Sequence, residues 1–149
     1  MKHSFICLEE GTVKYNEYYT YLQHESNINF RDDFMRYISD TLSWIPSIHI
    51  AGMQYKKSSG LFLDGCTIVN QNGALLLENA IKCWTKLFAV APESFELTGP
   101  ALINADNQFQ GDFYKIHVER DRLVENLDRL SKEAQKVTRG KHYLLHIGL

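Results

Sequence analysis

Hydrophobic periodicity places this 149-residue chain in the α+β (or α/β) class. The expected architecture is a mixed β-sheet of about five or six strands packed by about three helices. Three observations carry that reading. Residues 113–118, Phe-Tyr-Lys-Ile-His-Val, alternate at period two. Leu123, Val124, Leu127, Leu130, Ala134 and Val137 then recur at helical spacing, and residues 142–149 alternate again. The chain therefore closes on a strand–helix–strand unit. Arg129, Lys132, Lys136 and Arg139 gather towards the end of its helix, where the dipole favours cations, and Gly140 supplies the stop. If the connection is a crossover, the two strands are parallel. The helix then covers Tyr114, Ile116 and Val118 on one strand and Tyr143, Leu145 and Ile147 on the other.

The earlier elements follow in order. Residues 3–8 read as a strand and Glu9-Glu10-Gly11 as a turn. Residues 12–22 fit a tyrosine-rich strand or the start of a helix equally well, and residues 25–29 read as a polar loop. Phe30, Phe34, Ile38, Leu42 and Ile45 predict a helix over residues 30–44, with Asn29 as its cap and Pro46 as its stop. Residues 48–55 and 61–69 are strand candidates around an exposed loop at residues 56–60, and residues 70–73 (Asn-Gln-Asn-Gly) signal another turn. Leu77, Ala80, Ile81, Trp84, Leu87 and Phe88 mark one face of a helix over residues 75–90. A short strand at residues 95–97 precedes a long loop, residues 99–111, of the kind that often forms a lid.

Length and composition bound the function. The chain suits a single globular domain, residues 1–149, that can bury roughly 70% of its unfolded surface without a disulfide or metal staple. A net charge of −2 implies no general attraction to nucleic acid or to an anionic membrane. No segment reads as a secretory signal or a membrane span. Cys7, Cys66 and Cys83 form no paired motif and are expected to be buried, reduced thiols. A cytoplasmic protein is the resulting expectation.

Catalytic signatures are sparse. Residues 60–67, GLFLDGCT, have the glycine spacing of a phosphate-binding loop, but Cys66 stands where the lysine must be. Asp32 and Asp33 are neighbours on a helix, about 100° apart, and do not converge on one proton. His142 and His146 are four residues apart, a metal-binding spacing on a helix. On a strand they lie about 13 Å apart at ~3.3 Å per residue and cannot share an ion. With His117 and Lys115 of the preceding strand they form instead an expected polar sheet face. That face is the alternative site, for a small-molecule-binding or hydrolytic domain with residues 99–111 as its lid. No metal or cofactor is expected.

The other candidate surface is acidic and aromatic. Glu9, Glu10 and Glu17 are interleaved with Tyr15, Tyr18, Tyr19 and Tyr21, a composition suited to steering and gripping a basic protein. In this general character, over its whole length, the chain resembles the small bacterial immunity proteins that neutralise toxins. The resemblance implies a non-catalytic protein that binds a cognate toxin, often a basic nuclease, at or beside its active site.

Overall fold

The first alternating run forms β1 (Lys2–Glu9) in the structure, a computed structural model that describes residues 2–12, 17–51 and 54–149. The ambiguous tyrosine segment contains a 3₁₀ helix, Tyr18–Gln23. The polar stretch after it runs into an unexpected strand, β2 (Ile28–Arg31). Pairings from Lys2↔Arg31 to Phe5↔Ile28 hold these residues extended, so the next helix starts only at Asp32. It breaks at Ile38 into α1 (Asp32–Tyr37) and α2 (Ser39–Leu42). The apolar spacing that suggested one long helix has a physical basis all the same. Phe30 on the strand and Phe34 on the helix stack their rings 6.0 Å apart over the same core. Asn29 does not cap α1, because its side chain accepts a hydrogen bond from the Ser4 hydroxyl at 2.8 Å.

Two expected turns move. β3 (Pro46–Ala51) pairs with β4 (Gln54–Ser59) from Pro46↔Ser59 to Ala51↔Gln54. Lys56 and Lys57 therefore lie within the edge strand and not in the expected loop. All six residues of β4 are exposed, and lysines there discourage pairing with another chain. After β5 (Cys66–Val69), the Asn-Gly signal marks a helix start. Asn70 caps α3 (Gln71–Ala89), its side chain accepting from the Asn72 N–H at 3.0 Å. Gly73 is required there by proximity, since a Cβ would sit 2.0 Å from the Pro46 carbonyl oxygen.

The last elements are β6 (Ser94–Ile103), β7 (Phe109–Glu119), α4 (Arg120–Arg139) and β8 (His142–Gly148). The main sheet has six strands in the order β2-β1-β8-β5-β3-β4, and every pairing in it is antiparallel. β7 pairs with β6 in a separate two-stranded sheet. The parallel crossover is thus not made: α4 carries the chain from the hairpin back to the middle of the main sheet. The expected lid, residues 99–111, is the outer half of that hairpin.

Each face of the main sheet has its own core. α3 and α4 cover one face, against Phe5, Val69 and Leu144. Ala74, Leu77, Ile81 and Phe88 are the buried stripe of α3; Leu123, Leu127, Leu130, Ala134 and Val137 are that of α4. Tyr143, Leu145 and Ile147, expected under α4, point the other way into a second core with Ile6, Ile50, Cys66 and Tyr18. Leu87 and Cys83 fall outside the α3 stripe and are exposed, so Cys83 is not the buried thiol expected. Cys66 is buried and Cys7 half-buried, and burial, the main cause in each, pushes both thiols up to about 11.

Two substitutions test this packing. Leu127→Ala removes a fully buried side chain and should cost about 2–5 kcal/mol in urea unfolding, whereas Leu87→Ala should stay within about 0.5 kcal/mol. Equal effects would refute the assignment of the helix faces. Gly73→Ala should destabilise the fold although Ala is the better helix former by about 1 kcal/mol, because the new Cβ meets the β3 backbone. A stabilised variant would mean that α3 does not approach β3 so closely.

Candidate functional site

The expected histidine face is not assembled. His117 and Lys115 leave the main sheet with β7, and His117 is largely exposed, its Nδ1 2.9 Å from the Glu96 carboxylate across the hairpin. His142 and His146 do share one face of β8, but it is the face turned towards Leu144 and Phe5 and not towards solvent. His142 is half-buried and His146 is fully buried. The sequence could not show this separation, because it depends on which sheet β7 joins.

His146 has partners from outside the expected set. Its Nε2 lies 2.9 Å from Nδ1 of His3, whose Nε2 lies 3.0 Å from Asp32 Oδ1. Arg36 Nε donates to the other Asp32 oxygen at 2.9 Å. The strand register adds Thr67 and His49, which follow His146 across the sheet on the same face. Thr67 accepts from the Phe62 N–H at 2.8 Å, and His49 donates from Nε2 to the Gly60 carbonyl at 3.1 Å. A polar row therefore crosses the otherwise apolar, helix-covered side.

Electrostatics assigns the protons in this row. Burial alone would raise the Asp32 carboxyl; hydrogen bonds from Arg36 and His3 outweigh it and hold the group below the usual carboxylate range. Asp32 thus accepts from His3 Nε2–H. Burial first, and then the nearby His3 and His49, push His146 down to about 3, so its imidazole is neutral. Its Nδ1 has no hydrogen-bond partner among the described residues. His3 and His146 are both fully buried, out of a solute's reach, and the Asp32–His3–His146 chain ties β1, α1 and β8 together.

The acidic tyrosine segment is divided between core and surface. Tyr18 is buried in the second core, Tyr21 is half-buried, and Tyr19, Glu9, Glu10 and Glu17 are exposed. Tyr15 lies outside the described residues. Among the described residues no group of three or more His, Cys, Asp or Glu side chains is placed to hold a metal ion, and no helix is long and apolar enough to cross a membrane.

Two features escaped the sequence reading. The first is the β6–β7 hairpin itself. Its root is anchored by buried Ile116 and Val118 and by partly buried Phe95 and Leu97. Beyond the root, Leu102, Ile103, Phe109, Phe113 and Tyr114 are exposed. At the tip Asn104 Oδ1 accepts from the N–H groups of Asp106 and Gln108, each at 2.9 Å, and Asn107 takes the left-handed φ of 58° that the turn needs. Residues 94–119 carry Glu96, Asp106, Asp112 and Glu119 against Lys115 as the one lysine or arginine, so the arm is both aromatic and acidic. The second feature is a groove of about 380 Å³ beside the hairpin root, bounded by β2, α1 and the start of α4. No protein-family model, curated protein or solved structure proved significantly similar to this chain.

The neutral, buried His146 makes stability depend on pH. Its folded pKa, about 3, lies below the unfolded value of 6.5, so the unfolded chain takes up the proton first. Stability should be complete above pH 6.5 and fall towards pH 3, with His146 contributing a slope approaching ~1.4 kcal/mol per pH unit within that window. Urea midpoints from pH 7 to 4 measure the slope, and His146→Asn should flatten it. A wild-type profile that is flat between pH 6 and 4 would show that His146 is not held neutral by the fold.

Proposed function

We propose that this protein works by binding another protein, without chemistry of its own, in the manner of a toxin-neutralising immunity protein. The observation that carries the reading is the aromatic, acidic outer half of the β6–β7 hairpin. A two-stranded ribbon is marginally stable by itself in water. This one nevertheless holds Phe109, Phe113, Tyr114 and Ile103 out to solvent. Such side chains provide rigid apolar contact area, and desolvating them against a partner is favourable. The carboxylates around them suit a basic partner through steering and charge pairing. A basic nuclease toxin meets that description. Glu9, Glu10 and Glu17 with Tyr19 form the accessory acidic surface in this proposal, and Tyr18 is assigned to the core.

The test starts from capture of the partner by the intact protein from its native host, with relief of that partner's toxicity on co-expression. Affinities are then measured for three variants. Phe109→Ser with Phe113→Ser should weaken binding by about a hundredfold, the size expected when central aromatic anchors are lost. Asp106→Lys with Asp112→Lys should slow association and reduce its salt dependence. Glu9→Lys, Glu10→Lys and Glu17→Lys together should have the smaller effect. A partner that binds all three variants as it binds the wild type would exclude both surfaces, and a non-toxic partner would exclude the immunity role.

A further inference from the structure

The groove at the hairpin root has a chemistry that the protein-binding reading does not use. Its volume of about 380 Å³ falls in the ~300–1,000 Å³ range of small-molecule sites. Its floor is apolar: Phe30 and Phe34 form one side, Ile116 and Val118 the hairpin side, and Leu123 the α4 side. The charged lining is Lys2, Arg31 and Arg122 against Asp33 and Glu119, an excess of one positive charge. Arg31 is already engaged, pairing with Asp33 and donating to the His117 carbonyl at 3.1 Å. Glu119 accepts from the Ser94 hydroxyl at 3.2 Å. Lys2 and Arg122 have no side-chain hydrogen bond or ion pair among the described residues. They lie far apart in the sequence, on β1 and α4, yet the fold brings both to the lining of one apolar slot.

Such a slot favours a molecule with two parts. An apolar body replaces water over the floor, and an anionic head takes charge-assisted hydrogen bonds from the two cations left without an ion pair among the described residues. We propose that this groove binds a small amphipathic anion, an apolar chain or ring bearing one carboxylate or phosphate, with its head neutralised by Lys2 and Arg122. The site lies where the hairpin joins the body, so an occupant touches Ile116 and Val118, the residues that anchor the arm.

The proposal is tested on the full chain by amide-resolved NMR titration with octanoate, octyl phosphate, octanol and octylamine. Both anions should give saturable shifts at residues 30–34 and 116–123, and the stronger of the two identifies the preferred head. Octanol should bind about tenfold more weakly, the value of one charge-assisted pair, and octylamine should not saturate. Lys2→Gln with Arg122→Gln should reduce the octanoate affinity to that of octanol while the rest of the spectrum is unchanged, which separates loss of the site from loss of the fold. The proposal is overturned if neither anion shifts these residues saturably, if affinity does not depend on head-group charge, or if the double variant binds octanoate as the wild type does.

Discussion

Leu144 and Leu145 are consecutive on β8, point to opposite faces of the sheet, and are both completely buried. A strand in that position needs a hydrogen-bonding neighbour on each edge and an apolar cover on each face. β1 and β5 meet the first need, both antiparallel to it. The α3–α4 pair covers one face; Tyr18 of the 3₁₀ helix joins the core on the other. Most of the remaining architecture follows from seating this last strand at the centre. β1 and β8 must pair, α4 must span from the hairpin to the sheet centre, and the main sheet is incomplete until β8 is in place.

The polar row through His3, His146, Thr67 and His49 gives that arrangement its register. A slip of β1 by one residue against β8 would turn His3 into the second core and Ile6 towards the helices. Unpaired polar groups in an apolar interior are costly, so the hydrogen-bonded chain from Asp32 through His3 to His146 penalises such alternatives. Of the histidines that first suggest acid–base or metal chemistry, His146 is thereby tied to strand pairing. Arg36, half-exposed, links the chain to the protein surface through Asp32.

The hairpin obeys a different logic. Its root takes part in the core, whereas the large apolar residues of its outer half are exposed. Pro100 lacks an N–H and lies where the pairing shifts register between Thr98 and Ala101, which further loosens the outer ladder. Phe109 and Phe113 pack on each other there, ring centroids 5.4 Å apart, yet both remain exposed. The groove lies at the junction between this arm and the main sheet, where two parts with separate stabilising contacts diverge.

Local physics made much of the secondary structure legible in the sequence. The stripes of α3 and α4, the alternation in β1, β7 and β8, and the α+β class all follow from spacing that each segment carries within itself. Segments whose conformation depends on a distant partner were not legible. β2 is extended because β1 holds it, and Asn72-Gly73 is helical because Asn70 caps the helix and Gly73 fits under Pro46. Charge and exposure misled at Lys56 and Lys57, since an edge strand exposes its side chains as a loop does. The candidate sites were the least legible part. Tyr18 and His146 were separated from their expected neighbours by burial, while Lys2 and Arg122 were brought together from far apart. Periodicity determines which face of an element is apolar. Only tertiary structure decides what that face meets, because the answer depends on strand order, and strand order is set by burial summed over the whole chain.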